Sequence, residues 1–462
     1  MSDSVLPNEL LAEIFQVSLS ETTCPRISGW DDEYNLDDNS PLTSNLLPVV
    51  LSHVCRRWRA ISVESPLLWT HLRFNVSKSS LDRLTAFFTR SKHAPIHISI
   101  HHVPPKFLAD RFKFPLPRNT ADIRFISKNR LAQVFSLLAP HCERWASLNI
   151  SGSDAESHKF IVSQLAECTP ASQLEYFSLS YGGLRENRLA VSPPFQDQTP
   201  RLKYVAFLTS SLSLTWEASR HLLRNLHHLE LSCDPATHFR SWLVWVDIFD
   251  SSPGLRTLVL SSQDQSNINH QFRRPLDTTH SVSSIRTLIL SSIHGMWVKE
   301  FLTYFSFPHI RNLSLDLKPD QYYLEDSSRV FEVLTRPHGA SLLSRLERLR
   351  ISSNTSERDM SGVLDEAKKV SVLEVLMDAL LAVALLEKLQ HSEEGDAVLY
   401  CPHLQVLKLM ELEVDDTSTV VSSLLHRRQL GRARLKKLIM NEDSVSDECA
   451  KCLRTHVDLV LE

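Results

Sequence analysis

The sequence predicts an α/β protein in which short parallel strands alternate with helices, following a small helical segment at the N-terminus. Three observations support this fold class. An apolar motif of the form L-x-x-L-x-L occurs ten times after residue 140. Stretches with helical apolar spacing precede most of these motifs. Before Trp69, in contrast, the apolar residues fall at helical spacing, and the pattern changes at that residue.

The ten strand motifs recur at a regular distance. Their first residues are Trp145, Leu174, Leu202, Leu226, Leu255, Ile285, Ile310, Leu346, Leu404 and Leu435. Successive starts lie 24 to 36 residues apart, except for one step of 58 that equals about two repeats. This is the period of a leucine-rich repeat, in which one strand and one helix per unit stack into a solenoid. The alternation predicts parallel strands on the concave face and helices outside.

The helical half of each unit and the ends of the array are also predicted. Helices are expected at residues 81–90, 130–139, 159–168, 216–226, 242–250, 296–306, 329–336 and 419–429. Two weaker strands are expected at residues 69–74 and 96–100, and a terminal strand at 457–461. Residues 103–120 break the period as a loop, and residues 360–389 have the pattern of one long helix that replaces a degenerate strand near Val372.

The repeats depart from a regular leucine-rich repeat at the position eight residues after the first motif residue, which is normally Asn or Cys. Among the ten motifs this position is Asn only once, at Asn354. We therefore expect an irregular solenoid.

The N-terminal segment contains two apolar stripes at helical spacing. The first runs through residues 6–15, where a Pro and an acidic residue suit a helix start, and consists of Leu6, Leu10, Leu11, Ile14 and Phe15. The second lies in residues 51–69 and consists of Leu51, Val54, Cys55, Trp58 and Ile61, with three arginines on the other side. This second segment is predicted to be one short helix with an apolar face that needs cover.

Three motifs in this segment, L-P-x-E-L-L-x-E-I-F, V-C-R-R-W-R and S-P-x-L-W, occur in the order found in the F-box, a small helical module. The chain resembles fungal, basidiomycete-like F-box proteins with a leucine-rich-repeat-like domain. The resemblance implies docking onto a Skp-family adaptor of a cullin-RING ubiquitin ligase. The implied adaptor-binding residues are Leu6, Pro7, Leu10, Ile14, Phe15, Val54, Cys55 and Trp58. Val54, Cys55 and Trp58 are expected both to contact the adaptor and to pack inside the module. Leu11, Leu51 and Ile61 are interpreted as packing residues only.

An acidic insertion separates the two helical segments. Residues 20–47 carry six acidic residues against the single base Arg26, which is typical of a solvated loop. The predicted domains are an F-box at residues 1–72, including this insertion, and a repeat domain at residues 73–462. Trp69 is expected to end the F-box and to start the first strand of the repeat domain, with no flexible hinge between the two domains.

The face of each strand opposite the motif residues is the candidate client-binding surface, because side chains alternate along a strand. Aromatic residues dominate its beginning and basic residues its end. The candidate residues are Tyr176, Tyr204, His228, Glu230, Arg348, Arg350, Lys408 and Lys437. The four basic residues favour an acidic or phosphorylated segment of a client. The alternative is that each is a solvated side chain without a binding function.

Composition argues against several other protein classes. With 50 basic and 54 acidic residues, the chain has no overall charge signal for nucleic acid or an anionic membrane. Only ten glycines are present, and the sequence lacks phosphate-loop, dinucleotide, H-E-x-x-H and G-x-S-x-G motifs. We therefore expect no catalytic residues, metal or cofactor. The Cys449-x-x-Cys452 pair is interpreted as part of a packed helix face and not as a zinc or redox site.

The N-terminus has no secretory signal pattern, and the most apolar helical stretch, residues 379–386, is too short to span a bilayer. These features predict a cytoplasmic or nuclear protein without a membrane partner. The predicted function is that of a noncatalytic substrate receptor in an SCF-type (Skp–cullin–F-box) ubiquitin ligase, which recruits a client protein of unknown identity. The alternatives are an interaction scaffold outside ubiquitin transfer and, less favoured, an unusual enzyme.

Overall fold

The structure is a computed structural model that describes most of the chain. The described residues are 6–20, 47–76, 79–102, 120–152, 155–168, 170–181, 194–209, 220–232, 241–262, 279–317, 325–335, 341–352, 357–376, 401–410, 435–442, 445 and 447–461. The predicted acidic insertion, the loop at 103–120 and the helix at 419–429 lie almost wholly or wholly outside them. Within the described part, no helix is both long and apolar enough to cross a membrane.

The chain divides into two compact units, residues 1–233 and 234–462. Both combine helices with parallel strands, so the predicted α/β class is confirmed. The predicted domain boundary between residues 72 and 73 falls inside the first unit and within its first strand. The N-terminal helices and the first strands therefore belong to the same compact unit.

The first unit contains six described helices and six described strands. The helices are α1 (Asn8–Ser20), α2 (Leu47–Val54), α3 (Arg56–Glu64), α4 (Leu81–Ser91), α5 (Thr120–Leu138) and α6 (Ala155–Glu167). The strands are β1 (His71–Asn75), β2 (Ile96–His102), β3 (Trp145–Gly152), β4 (Tyr176–Tyr181), β5 (Tyr204–Thr209) and β6 (His228–Ser232). The six strands pair in chain order, and every pair is parallel.

The second unit has five described helices and ten described strands. The helices are α7 (Trp242–Ser251), α8 (Gly295–Tyr304), α9 (Glu325–Leu334), α10 (Glu357–Glu366) and α11 (Asp447–Arg454). The strands are β7 (Thr257–Ser261), β8 (His280–Ser281), β9 (Thr287–Ile293), β10 (Phe305–Ser306), β11 (Asn312–Leu317), β12 (Arg348–Ser352), β13 (Val372–Leu376), β14 (Val406–Met410), β15 (Lys437–Met440) and β16 (Asp458–Leu461). Eight of them form one parallel array in chain order, and the short strands β8 and β10 pair separately.

All ten predicted strand motifs form strands, and so do the two weaker strands and the terminal strand. The register explains why the motif repeats. Leu258 lies beside Leu288, Leu288 beside Leu313 and Leu313 beside Leu349, so equivalent motif residues form one buried row across the array. Each apolar row is completed only by the neighbouring repeats, because a single strand cannot cover its own apolar side.

The prediction of one helix over residues 360–389 is wrong. Helix α10 ends at Glu366, and strand β13 follows after a short turn. The apolar residues Val370, Leu373 and Val375 have the same spacing as the ten motifs, and all three are buried. This strand also resolves the step of 58 into two repeats, since Leu373 lies between Leu349 and Leu407 in register.

The second N-terminal helix is also different from the prediction, because it is broken in two at Cys55. Cys55 has extended backbone angles, φ −156° and ψ 171°, and its sulfur accepts a hydrogen bond from the Trp58 backbone N–H at 3.4 Å. The residue thus ends α2 and caps α3. An apolar periodicity that crosses a cap looks continuous in sequence, which is why the break was not expected.

The buried interior is rich in aromatic side chains. Trp145, Trp242, Trp245 and Trp297, which the sequence assigns to the core, are at most 3% exposed. Cys449 and Cys452 lie on α11 as predicted, but they do not form its packed face: Cys452 is exposed, Cys449 is half-buried, and Ala450 and Leu453 are the buried residues. Of the predicted helix at 216–226, the described part is a single 3₁₀ turn, Arg220–Leu223. Of the ten residues that lie eight positions after a motif start, the structure describes only Ile293. It is a buried apolar residue and not the Asn or Cys of a regular leucine-rich repeat.

Candidate functional site

The N-terminal helices expose an unusual number of large apolar side chains. Eight such side chains are exposed among the described residues, and seven of them lie between residues 6 and 67. They are Leu6, Leu10, Ile14, Val17, Val50, Val54 and Leu67, each 45–59% exposed. Apolar side chains concentrated in this way on a surface are typical of an interaction site.

On α1 this exposed surface is a stripe produced by helical geometry. Leu10, Ile14 and Val17 follow one another at spacings of four and three residues, so they lie on one side of the helix. Leu11 and Phe15 point to the other side and are buried, at 7% and 3% exposed. The helix is therefore apolar on two sides, and only one of them is covered by this chain.

Phe15 is a correction to the expected adaptor-binding set. Its ring packs against that of Trp58 with the centroids 4.9 Å apart, and burial removes it from the surface. Trp58 is itself partly exposed. Leu51 and Ile61, each 7% exposed, join Leu11 in the interior, which confirms the packing interpretation of these three residues.

Arg57 of α3 holds the start of α1 in place. The Arg57 Nε–H donates to Asn8 Oδ1 at 2.9 Å, and the same guanidinium donates through Nη2 to the Leu6 carbonyl. Pro7 is exposed beside these contacts. The polar side of α3 thus fixes the segment that carries Leu6 and Pro7. The spacing of apolar residues in the sequence did not indicate this contact.

The remaining predicted contact residues lie where α2 meets α3. Val54, the last residue of α2, is 55% exposed, and Cys55 is exposed as well. Cys55 nevertheless has the capping role described above. The Arg59 Nε–H donates to the Ser52 carbonyl at 2.7 Å and so ties the two helices together across the break.

Trp69 connects these helices to the sheet of the first unit. Its indole N–H donates to the Ser62 carbonyl of α3 at 2.7 Å, and its ring meets Phe87 of α4 edge to face at 5.0 Å. The Arg90 guanidinium lies over the ring at 4.3 Å from the centroid. Trp69 is 1% exposed, so the predicted joint at this residue is a buried part of the core.

The sheet face of the first unit carries one continuous row of polar and aromatic side chains. In register across the strands, the row consists of His71, His97, Ser147, Tyr176, Tyr204 and His228. The His71 and His97 rings stack in parallel at 4.5 Å. The Tyr176 and Tyr204 centroids are 6.5 Å apart, and those of Tyr204 and His228 are 6.1 Å apart. The structure therefore joins the two predicted tyrosines to four other members of one row.

The two stacked histidines were not among the predicted site residues. Burial and the neighbouring His97 lower the pKa of His71 from 6.5 to about 4. Burial also lowers the pKa of His97, against the opposing influence of Glu175. Both rings are therefore neutral near pH 7. His71 stands two residues after Trp69, so applying the motif spacing to this weaker repeat would have found it.

Glu230 and His228 are corrections to the expected client-contact set. Both residues are 6% exposed, and the His228 Nε2 lies 3.8 Å from the Glu230 Oε2. Side chains covered to this extent are not available to a client in this conformation. Lys408 in the second unit is likewise 6% exposed. Tyr176 and Tyr204 remain partly exposed.

The sheet face of the second unit brings together the four predicted basic residues and one carboxylate that the sequence reasoning missed. Arg350 lies beside Glu374 in register, and Glu374 lies beside Lys408. The Arg348 Nη2 is 3.5 Å from the Glu374 Oε1. Lys437 follows on β15, in register with Val406. Glu374 was missed because it belongs to β13, a segment for which the sequence analysis predicts a helix.

Metal-binding chemistry finds no support in the part of the chain that the structure describes, where no three His, Cys, Asp or Glu side chains are grouped to hold an ion. The buried thiols of Cys142 and Cys168 have raised pKa values, mainly because of burial, and that of Cys168 reaches about 12. A thiol with a raised pKa is a poor nucleophile at neutral pH. These two cysteines are therefore part of the packing.

A scan of the sequence against models of known protein families matches none of them, and a search of curated proteins finds no match either. The resemblance of residues 6–69 to the F-box thus depends on its three motifs and on the surface that they form.

Proposed function

We propose that this chain is a noncatalytic substrate receptor of an SCF-type ubiquitin ligase. In this proposal the helices at residues 6–69 bind a Skp-family adaptor, and the strand–helix units form an irregular leucine-rich-repeat-like solenoid that binds a client protein. The observation that carries the proposal is the cluster of exposed apolar side chains on these helices, within motifs that resemble the F-box. Such a receptor acts in the cytoplasm or the nucleus.

The exposed stripe supports docking of a partner protein for an energetic reason. Complete burial of one Leu, Ile or Val side chain contributes about 1.5–3 kcal/mol. Leu6, Leu10 and Ile14 are each about half exposed, so a partner that covers them gains roughly half of this amount at each position. Pro7 lies within the same exposed segment. The gain is large enough for these few side chains to dominate an interface.

The solenoid part of the proposal is supported by the repeat register. Equivalent motif residues lie side by side along six strands of the first unit and eight of the second, and the connections keep all strands parallel. A repeat of one strand and one connecting segment every 24 to 36 residues is the organisation of leucine-rich repeats. Such arrays commonly bind proteins over their extended faces.

The experiment is capture of a recombinant Skp-family adaptor by the full chain and by a Leu10→Ser/Ile14→Ser variant. These side chains are exposed, so their replacement leaves the interior intact, while adaptor capture is expected to fall at least about tenfold. Leu243→Ser is the matched control, because Leu243 is 66% exposed but lies in the second unit. The proposal is wrong if the wild type does not capture the adaptor, or if the double variant captures it equally well.

The same capture experiment separates the receptor from an interaction scaffold that acts outside ubiquitin transfer. A receptor that binds the adaptor also recovers the cullin when the complete ligase is added, whereas a scaffold recovers the adaptor alone or neither protein. Pro7→Ala provides a mild additional variant, since Pro7 is exposed and contributes no side-chain hydrogen bond. Its adaptor capture is expected to fall with no change in thermal stability.

A further inference from the structure

We propose that the sheet face of the second unit binds an unphosphorylated acidic segment of the client. The inference rests on the proposed receptor function and names the chemical class of the segment. It starts from the arrangement of four cations, Arg348 and Arg350 on β12, Lys408 on β14 and Lys437 on β15. All four lie on the face opposite the buried motif residues.

The exposed part of this basic surface is formed by three of the four residues. The Arg348 side chain is 39% exposed, and Arg350 and Lys437 are partly exposed. Lys408 is buried, so its ammonium group adds positive charge beneath this surface but does not contact a partner directly. A partner therefore meets two guanidinium groups on one strand and an ammonium group three strands away. Arginine forks and lysine ammonium groups are both suited to carboxylates.

Three carboxylates limit the charge of the surface, and one of them, Asp316 on β11, lies in register with Ser352 of β12. Glu374 lies between the cations and is 5% exposed, so it offsets one positive charge without facing the solvent. Asp458 on β16 is exposed and lies in register with Lys437. Among the described residues of this face on β12 to β15, four cations and one carboxylate remain. The cations therefore outnumber the carboxylates among these described residues.

The spacing of the cations fits an extended acidic segment. Three strand-to-strand steps of about 4.8 Å separate β12 from β15, which gives about 14 Å. An extended chain advances about 3.3 Å per residue, so roughly four to five residues cover this distance. Alternate side chains of such a segment point to the same side. Two or three acidic side chains can then face the cations, provided that acidic residues occupy every second position.

The arrangement favours separate carboxylates over one phosphate group. Arg348 is already paired with Glu374 at 3.5 Å, and Lys437 lies three strands from the arginines. A phosphate carries about −1.5 to −2 charge and is bound best by cations that converge on one point. Here the cations are spread along the face, and Glu374 in the middle repels a dianion more strongly than a monoanion.

The test measures binding of a fluorescent peptide of alternating Glu and Ser to the full chain by anisotropy, with the Gln–Ser peptide for comparison. The acidic peptide is expected to bind, with an affinity that falls as salt increases. The Arg350→Glu/Lys437→Glu variant is expected to bind it about tenfold more weakly, since attraction becomes repulsion at two contacts. Lys369→Glu/Lys451→Glu is the matched control, with the same charge change at two exposed residues outside the strands, and should bind like wild type.

Removing an offsetting carboxylate should have the opposite effect. Asp458→Asn is expected to strengthen peptide binding by a few-fold and, because Asp458 is exposed, to leave the fold unchanged. The inference is overturned if the Gln–Ser peptide binds equally well, if the double reversal has no effect, or if a phosphoserine–alanine peptide binds far more tightly than the acidic one.

Adaptor capture by the same double variant keeps this result separate from the proposed function. Arg350 and Lys437 lie in the second unit, so the variant should still capture the adaptor. Loss of peptide binding with adaptor capture retained is the expected outcome. If wild type binds the acidic peptide but never captures the adaptor, the receptor function is wrong and the acidic specificity stands. If it captures the adaptor but does not bind the peptide, the acidic specificity alone is wrong.

Discussion

The stacked histidines at the start of the sheet should make the folded chain sensitive to mild acid. His71 and His97 lie in parallel at 4.5 Å, and the His71 Nδ1 is 3.1 Å from the Thr70 hydroxyl. Protonation of either ring places a positive charge in a partly buried site next to the other ring. We therefore predict that His71 lowers the free energy of unfolding as the pH falls, and that His71→Gln removes this contribution to the pH dependence.

The magnitude follows from the two protonation equilibria. The pKa of His71 is about 4 in the folded chain, against an ordinary value of 6.5. Between these values the unfolded chain binds a proton that the folded chain does not, so stability decreases as pH falls from about 6.5 to about 4. The difference of about 2.5 corresponds to at most about 3.4 kcal/mol. Because the ring is only partly buried, solvent screening reduces this to about 1–2 kcal/mol.

The assay is urea unfolding of the wild type, His71→Gln and His93→Gln at pH 7.5 and pH 5. His93 is exposed, so its replacement should leave the pH dependence unchanged. Only the part of the window between about pH 6.5 and pH 5 is crossed, so wild type should lose about 0.5–1 kcal/mol more than His71→Gln after solvent screening. All three proteins keep His97 and Glu175, so the difference between wild type and His71→Gln reports on His71. Equal losses in wild type and His71→Gln would refute the reasoning.

Three further predictions concern stability and use thermal or urea unfolding. Trp69→Phe removes the hydrogen bond to the Ser62 carbonyl and should cost about 1–3 kcal/mol, and an unchanged midpoint would contradict its role as a joint. Cys55→Ser supplies a stronger N-cap and should raise stability by about 0.5 kcal/mol, whereas a large loss would show that the thiol is needed for packing. Leu373→Ala should cost about 2–5 kcal/mol and the partly exposed neighbour Val372→Ala much less, while similar losses would argue against strand β13.

The strands could be predicted because their signal repeats. One apolar L-x-x-L-x-L sequence is ambiguous between strand and helix, but ten of them at similar spacing require neighbours that share one row. The pairing of Leu288 with Leu313, and of Leu313 with Leu349, is the physical form of that repetition. The predicted fold class followed from the period, and no individual motif would have been sufficient.

The errors arose where two signals overlap. Strand β13 is preceded by the buried residues Val363 and Leu364 of α10, whose helical spacing runs into that of Val370 and Leu373. A period read across the turn appears as one helix. The same error occurs at Cys55, where a cap separates two helices whose apolar faces continue each other. Caps and short turns are local geometry, which apolar spacing does not record.

The candidate sites were harder to predict than the strands, because burial on the sheet face depends on neighbours. Tyr176 and Glu230 follow the same alternation rule, yet the tyrosine is partly exposed and the carboxylate is covered. Exposure is set by how large the adjacent side chains are, and a single sequence does not give that. The same limit explains Phe15, which the apolar pattern of residues 6–15 groups with Ile14 but which packs against Trp58.

The position of Trp69 has a consequence for how a receptor of this kind would present its client. The indole bonds to α3 through Ser62, packs on Phe87 of α4, and is followed within two residues by the first strand. The β2 backbone then bonds back to this joint, since the His97 N–H donates to the Thr70 carbonyl at 2.8 Å. No linker separates the exposed apolar helices from the sheet of the first unit. An adaptor bound to those helices would therefore hold that sheet in a fixed orientation, together with any client segment bound on the face of the first unit.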